Sequence, residues 1–180
     1  MTQYVAFLRG INVGGHKPVK MEALRSEFER LKLRQVATFK ASGNVLFETE
    51  ATDPERIRSA LAGALEKRLG GPVGVFLRSR AEIIRIREAD PFPPALPART
   101  AAYVTFLAGP PAKRPKLPLL SPHGNVRLLT HRDGAVFSLG EHTDRGPGFP
   151  NELVESVFGV PATTRNWNTL LGVDARFSSL

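Results

Sequence analysis

The spacing of apolar residues changes several times within the first eighty positions, and each spacing predicts an element. Tyr4, Val5, Ala6, Phe7 and Leu8 form an uninterrupted apolar run closed by Gly10, the pattern of a strand buried on both faces and lying centrally in a sheet. Met21, Leu24, Phe28 and Leu31 then recur at intervals of three and four, with charges between them, as in an amphipathic helix. β-Forming residues at 36–40 and 45–47 flank Ser42, Gly43 and Asn44, which predicts a hairpin. Asp53-Pro54-Glu55 combines an N-cap, a proline at the first helical position and an early acid. Ile57, Leu61 and Leu65 mark the apolar face of that helix, and Gly70-Gly71 ends it. Val73, Val75 and Leu77 alternate as a fourth strand. Residues 1–78 thus predict the order β-α-β-β-α-β of a ferredoxin-like unit, two helices on one face of a four-stranded antiparallel sheet.

The second half repeats this pattern loosely. Ser79 and Glu82 form a capping box opening a helix that reaches about Glu88, and the proline-rich stretch 91–97 follows as an extended connector, so residues 79–100 join two domains. Strands are predicted at 101–107, 126–130 and 135–139, the last two joined through Asp133-Gly134. A helix over 151–158 ends at Gly159, and a short one over 166–171 stops before Gly172. The first helix of this half is expected within 109–122, where Pro110, Pro111, Pro115, Pro118 and Pro122 permit a coil or a single turn. The expected class is α+β, with two ferredoxin-like (α/β-plait) units, the second (101–180) irregular.

Composition narrows the partners. Apolar residues make up 42% of the 180 positions and charged ones 23%, values of a folded chain. The absence of cysteine removes disulfides, thiolate nucleophiles and cysteine-held metals, and fits a reducing compartment; a cytoplasmic location is expected. Met1-Thr2-Gln3-Tyr4 is no signal-peptide start, and no apolar run is long enough to span a bilayer, so no membrane association is expected. The net charge of +8 attracts phosphates, whether free, on nucleotides or on nucleic acid. With arginine outnumbering lysine 18 to 7 and spread along the chain, this charge licenses only non-specific association with nucleic acid.

Two segments carry candidate chemistry. The first is the glycine-rich loop after the first strand. It is not a P-loop, because His16-Lys17-Pro18 stands where Lys and then Ser or Thr are required, nor does it read G-x-G-x-x-G. Successive glycine N–H groups near a helix start, with Arg9 and Lys17, nevertheless suit an anion. A strand order of 4-1-3-2 makes strands one and two parallel, so this loop and the first hairpin share one end of the sheet. Arg9, Asn12, Gly14, Gly15 and Lys17 then meet Ser42, Gly43 and Asn44. The alternative for Ser42 and Asn44 is turn chemistry. The second segment is Thr163-Thr164-Arg165-Asn166-Trp167-Asn168-Thr169. Here Trp167 can stack on a planar ligand whose edges Arg165, Asn166 and Asn168 read, or it anchors a last helix capped by Thr164 or Asn166.

Nothing in the sequence assigns a reaction. His16, His123, His131 and His142 have no metal-ligand spacing, His142 with Asp144 lacks a nucleophile, and no cofactor or metal is expected. The expected partner is a small anionic ligand or nucleotide. The alternatives are a nucleic-acid binder without the RNP aromatic signature, an enzyme of unidentified reaction, and a protein-interaction domain with an open sheet face. Oligomeric state is left open.

The segment 8–15, then Ser42-Gly43-Asn44-Val45 leading to Phe47, then 163–169, in that order and at these separations, resemble the bacterial family known as domain of unknown function 1697. The resemblance spans nearly the whole chain. It implies two α/β-plait domains and no established activity. The chain departs from the family pattern at 109–122, where relatives have a helix, and at 146–151, where they carry a basic-serine approach to the next helix.

Overall fold

The computed structural model describes residues 1–11, 19–144 and 146–180, which form five helices and two antiparallel sheets, an α+β architecture. They divide into two compact units, residues 1–83 with 172–180, and residues 84–171. The last nine residues thus group with the first unit, whereas the sequence placed them with the second half.

In the first unit, β1 (Thr2–Arg9), β2 (Arg34–Phe39), β3 (Asn44–Thr49) and β4 (Gly74–Ser79) form a sheet ordered β2-β3-β1-β4, the order expected from the sequence. α1 (Met21–Arg30) and α2 (Pro54–Leu69) lie between β1 and β2 and between β3 and β4 in the chain. Tyr4, Ala6 and Leu8 of β1 share a core with Leu24 and Phe28 of α1 and Ile57, Leu61 and Leu65 of α2. Val5 and Phe7 alternate with them onto the other face and are fully buried too, as a run with no polar member requires. α2 starts where its cap chemistry dictates. Asp53 Oδ1 accepts from the N–H groups of Glu55 and Arg56, and Gly70 closes the helix in the left-handed conformation (φ 75°).

α3 (Arg80–Glu88) opens with the expected capping box, Ser79 and Glu82 exchanging side-chain bonds of 2.8 and 3.3 Å. The second unit contains β5 (Thr100–Leu107), β6 (Leu119–Leu120), β7 (Val126–Arg132), β8 (Ala135–Thr143), β9 (Gly146–Pro147), α4 (Asn151–Phe158), β10 (Ala162–Asn166) and the start of α5 (Trp167–Phe177). Its strands run β10-β5-β8-β7-β6, with β9 on β8. Asp133 and Gly134 both have positive φ (50° and 69°) and join β7 to β8 as the Asp-Gly pair predicts.

Residues 109–122 hold no helix, as their prolines predict, and add β6, a two-residue edge strand paired with β7. Two expectations need correction in this half. Residues 162–166 are a strand, β10, because Thr163 and Thr164 sit opposite Phe106 and Thr105 of β5. The last helix does not stop at Gly172 but continues to Phe177, since Leu170, Val173 and Phe177 extend a buried face across the glycine.

Candidate functional site

The end of β1 is where the sequence placed a binding surface. The Leu8 N–H donates to the Gly43 carbonyl at 2.8 Å, and β3 begins opposite Phe7, so the β2–β3 hairpin turns beside the last residues of β1. Gly43 has φ 73°, and a Cβ there would lie 3.1 Å from Leu8 Cβ and 3.7 Å from Ile11 Cβ. The left-handed backbone favours glycine, and a side chain there would need Leu8 to give by a few tenths of an ångström. Asn12, Gly14, Gly15 and Lys17 lie outside the described residues. Among the described residues the hairpin tip meets Leu8 and Ile11, both buried.

The turn spans four residues, 40–43, between the paired Phe39 and Asn44. Asn44 is the first residue of β3 and fully buried; its Nδ2 donates to the Phe39 carbonyl at 2.7 Å and to Ser42 Oγ at 3.0 Å. Both amide hydrogens therefore hold the turn together, as turn chemistry demands of a buried asparagine. Ser42 and Arg9 are exposed. Arg9 pairs across the sheet with Gly74, where an added Cβ would come 3.1 Å from Arg9 Cβ and 3.7 Å from its Cδ. The Arg9 stem thus lies over a position with no side chain. Gly74 was not singled out from the sequence, although a glycine opening a strand is a signal of close approach.

The second candidate segment belongs to the other unit. Trp167 is 7% exposed, with its ring edge-on to Phe92 (5.2 Å between centroids) and tilted against Phe137 (5.9 Å). Arg165 is 8% exposed and donates through Nη1 to Thr163 Oγ1 and the Thr164 carbonyl, both at 2.9 Å. Burial draws its pKa down to about 10. Asn166 Oδ1 accepts from the Asn168 N–H at 2.9 Å, an N-cap for α5, and both asparagines are exposed. Thr164 Oγ1 bonds Thr105 Oγ1 (2.8 Å) and Asn151 Oδ1 (3.0 Å), tying β10 to β5 and α4. These contacts are those of a packed and capped helix start.

Among the described residues no three or more His, Asp or Glu side chains are grouped to hold a metal ion. His131, on β7, lies against Phe158 with ring centroids 5.2 Å apart, and its Nε2 is buried without a hydrogen-bond partner. Burial lowers its pKa, Arg114 adds to the effect and Asp133 opposes it. No described helix is long and apolar enough to cross a membrane.

No curated protein matches the chain. Its fold is similar to the solved structure of the conserved bacterial protein SP0830 from Streptococcus pneumoniae, with a TM-score of 0.60 and 20% identity over 97% of each chain. A family model described as "Protein of unknown function (DUF1697)" matches residues 1–137, which take in the β1 end and its hairpin. The chain belongs to that family of unknown function.

Proposed function

We propose that this protein is a binding module of the cytoplasm for a small anionic, nucleotide-like ligand, held between the loop that follows β1 and the β2–β3 hairpin. The reading is carried by one observation, the contact of Gly43 with Leu8 and Ile11, which sets the hairpin tip against the start of the glycine-rich loop. Exposed Arg9 and Ser42 supply a cation and a hydroxyl at that end, and Asn12, Gly14, Gly15 and Lys17 follow directly in the chain. Backbone N–H groups in such a turn suit phosphate oxygens, with the arginine completing the charge balance. Asn44 acts by stiffening the hairpin.

The two units are read as ferredoxin-like plaits with their boundary in the connector 79–100. The strand orders β2-β3-β1-β4 and β10-β5-β8-β7 support that reading. The nucleic-acid alternative rests on net charge; Trp167, buried between Phe92 and Phe137, is not free to stack on a base.

Thermal denaturation in inorganic phosphate and in a nucleoside triphosphate tests the proposal, with wild type compared against Arg9→Ala. Ligand that binds only the folded state raises the midpoint with concentration. The expected result is a rise in wild type that shrinks in the variant. An equal rise in both removes Arg9 from the site, and no rise with either anion overturns the reading.

A further inference from the structure

The opposite end of the first sheet carries a cleft that the proposed anion site does not use. It opens between the link from α1 to β2 and the link from β3 to α2, and has a volume of about 450 Å³, inside the range of about 300–1,000 Å³ usual for small-ligand sites. Its floor is the margin of the first core. Leu31 and Leu33 are half-buried there, Ile57 and Leu61 are buried, and Ala60 is exposed on α2.

Charge is confined to the rim. Arg56, in the first turn of α2, lines the cleft, and among the described residues its guanidinium has no ion pair or hydrogen bond. Glu50 and Asp53 line it as well. Glu50 has only a loose pair with Arg34 at 3.8 Å, both side chains being well exposed, and Asp53 Oδ1 caps α2. An apolar floor rimmed by one unpaired guanidinium and two carboxylates complements a small molecule with an apolar body, one anionic group and one cationic group. A simple fatty acid would leave the rim carboxylates facing its own charge, and a simple amine would leave Arg56 unused.

We propose that this cleft binds an apolar α-amino acid, its carboxylate on Arg56, its ammonium facing Glu50 and Asp53, and its side chain on Leu31, Leu33, Ile57 and Ala60. The site is independent of the anion site, from which the length of β3 separates it, about 20 Å for six residues.

Amide NMR of the full chain, titrated with L-leucine to about 10 mM, tests it, since that range detects even weak binding. The expected result is shift changes at Leu33, Glu50, Arg56, Ile57 and Ala60. Leucinol, which lacks the carboxylate, and 4-methylpentanoate, which lacks the ammonium, bind on the order of tenfold more weakly or not at all. Arg56→Gln weakens leucine to a similar degree, and Ala60→Trp, at an exposed helical position, fills the cleft and abolishes binding. Absence of shifts in wild type, equal binding of either analogue, or leucine binding unchanged in Arg56→Gln would overturn the proposal.

Discussion

The Leu8 N–H and the Gly43 carbonyl, 2.8 Å apart, join the end of the first strand to the tip of the first hairpin. The second unit repeats the bond at the corresponding place, from the Leu107 N–H to the Gly134 carbonyl at 2.9 Å, with Phe106 opposite Ala135 where the first unit has Phe7 opposite Asn44. The scaffold is the same but the chemistry differs. Positions held by Arg9 and Asn44 in the first unit hold Ala108 and Ala135 in the second.

Gly43→Ala should destabilise the protein by about 1–3 kcal/mol, because the new Cβ meets Leu8 on a backbone with φ 73°. Chemical denaturation measures the loss. Anion stabilisation should fall with it, and a variant with wild-type stability would contradict the contact.

Asn44→Ala removes two donors from a fully buried position and leaves the Phe39 carbonyl without that bond. A loss of about 1–3 kcal/mol is expected, the cost of an unsatisfied buried group. Ser42→Ala, at an exposed position, should cost less than about 1 kcal/mol. Urea midpoints of the two variants check the order.

Gly172 lies inside α5, and a Cβ there would come 2.4 Å from Phe39 Cζ. Two effects oppose each other in Gly172→Ala: alanine favours the helix by about 1 kcal/mol, while the displaced ring costs about 1–3 kcal/mol. Net destabilisation is expected with Phe39 present. In a Phe39→Ala background the same change should stabilise, and a double-mutant cycle that shows no change of sign would refute the contact.

His131 makes stability depend on pH. Its folded pKa lies below the usual histidine value of about 6.5, so as pH falls the unfolded chain takes up the proton first and the folded state loses ground. The contribution is complete above about pH 6.5 and is lost as pH drops below it. Thermal unfolding between about pH 5 and 8 should show a shallower slope in His131→Phe than in wild type. Identical slopes would place the imidazole in solvent.

Much of the fold was legible because local signals and burial agreed. Asp53-Pro54 and Gly70 bound α2 whatever it packs against, since capping satisfies groups of the helix itself. Asp133-Gly134 likewise turns β7 into β8 through its own backbone preferences. β10 carries no local signal, because Thr163 and Thr164 stand in a polar cluster with Trp167 and become a strand only through pairing with Phe106 and Thr105 of distant β5. Gly172 misled because one helical glycine costs only about 1 kcal/mol, less than burying Val173 and Phe177 returns.

Amino-acid order alone determined the α+β class, the order of elements in the first unit, the caps of α2 and the family, because each depends on neighbours within a few positions or on motifs in sequence. Tertiary structure decided the roles. It packed Trp167 between Phe92, from the connector, and Phe137, from β8, and it turned the amide of Asn44 inward to its own hairpin. A side chain's partners are set by which distant segments fold against it, and burial fixes whether its polar atoms serve the fold or remain open to a ligand.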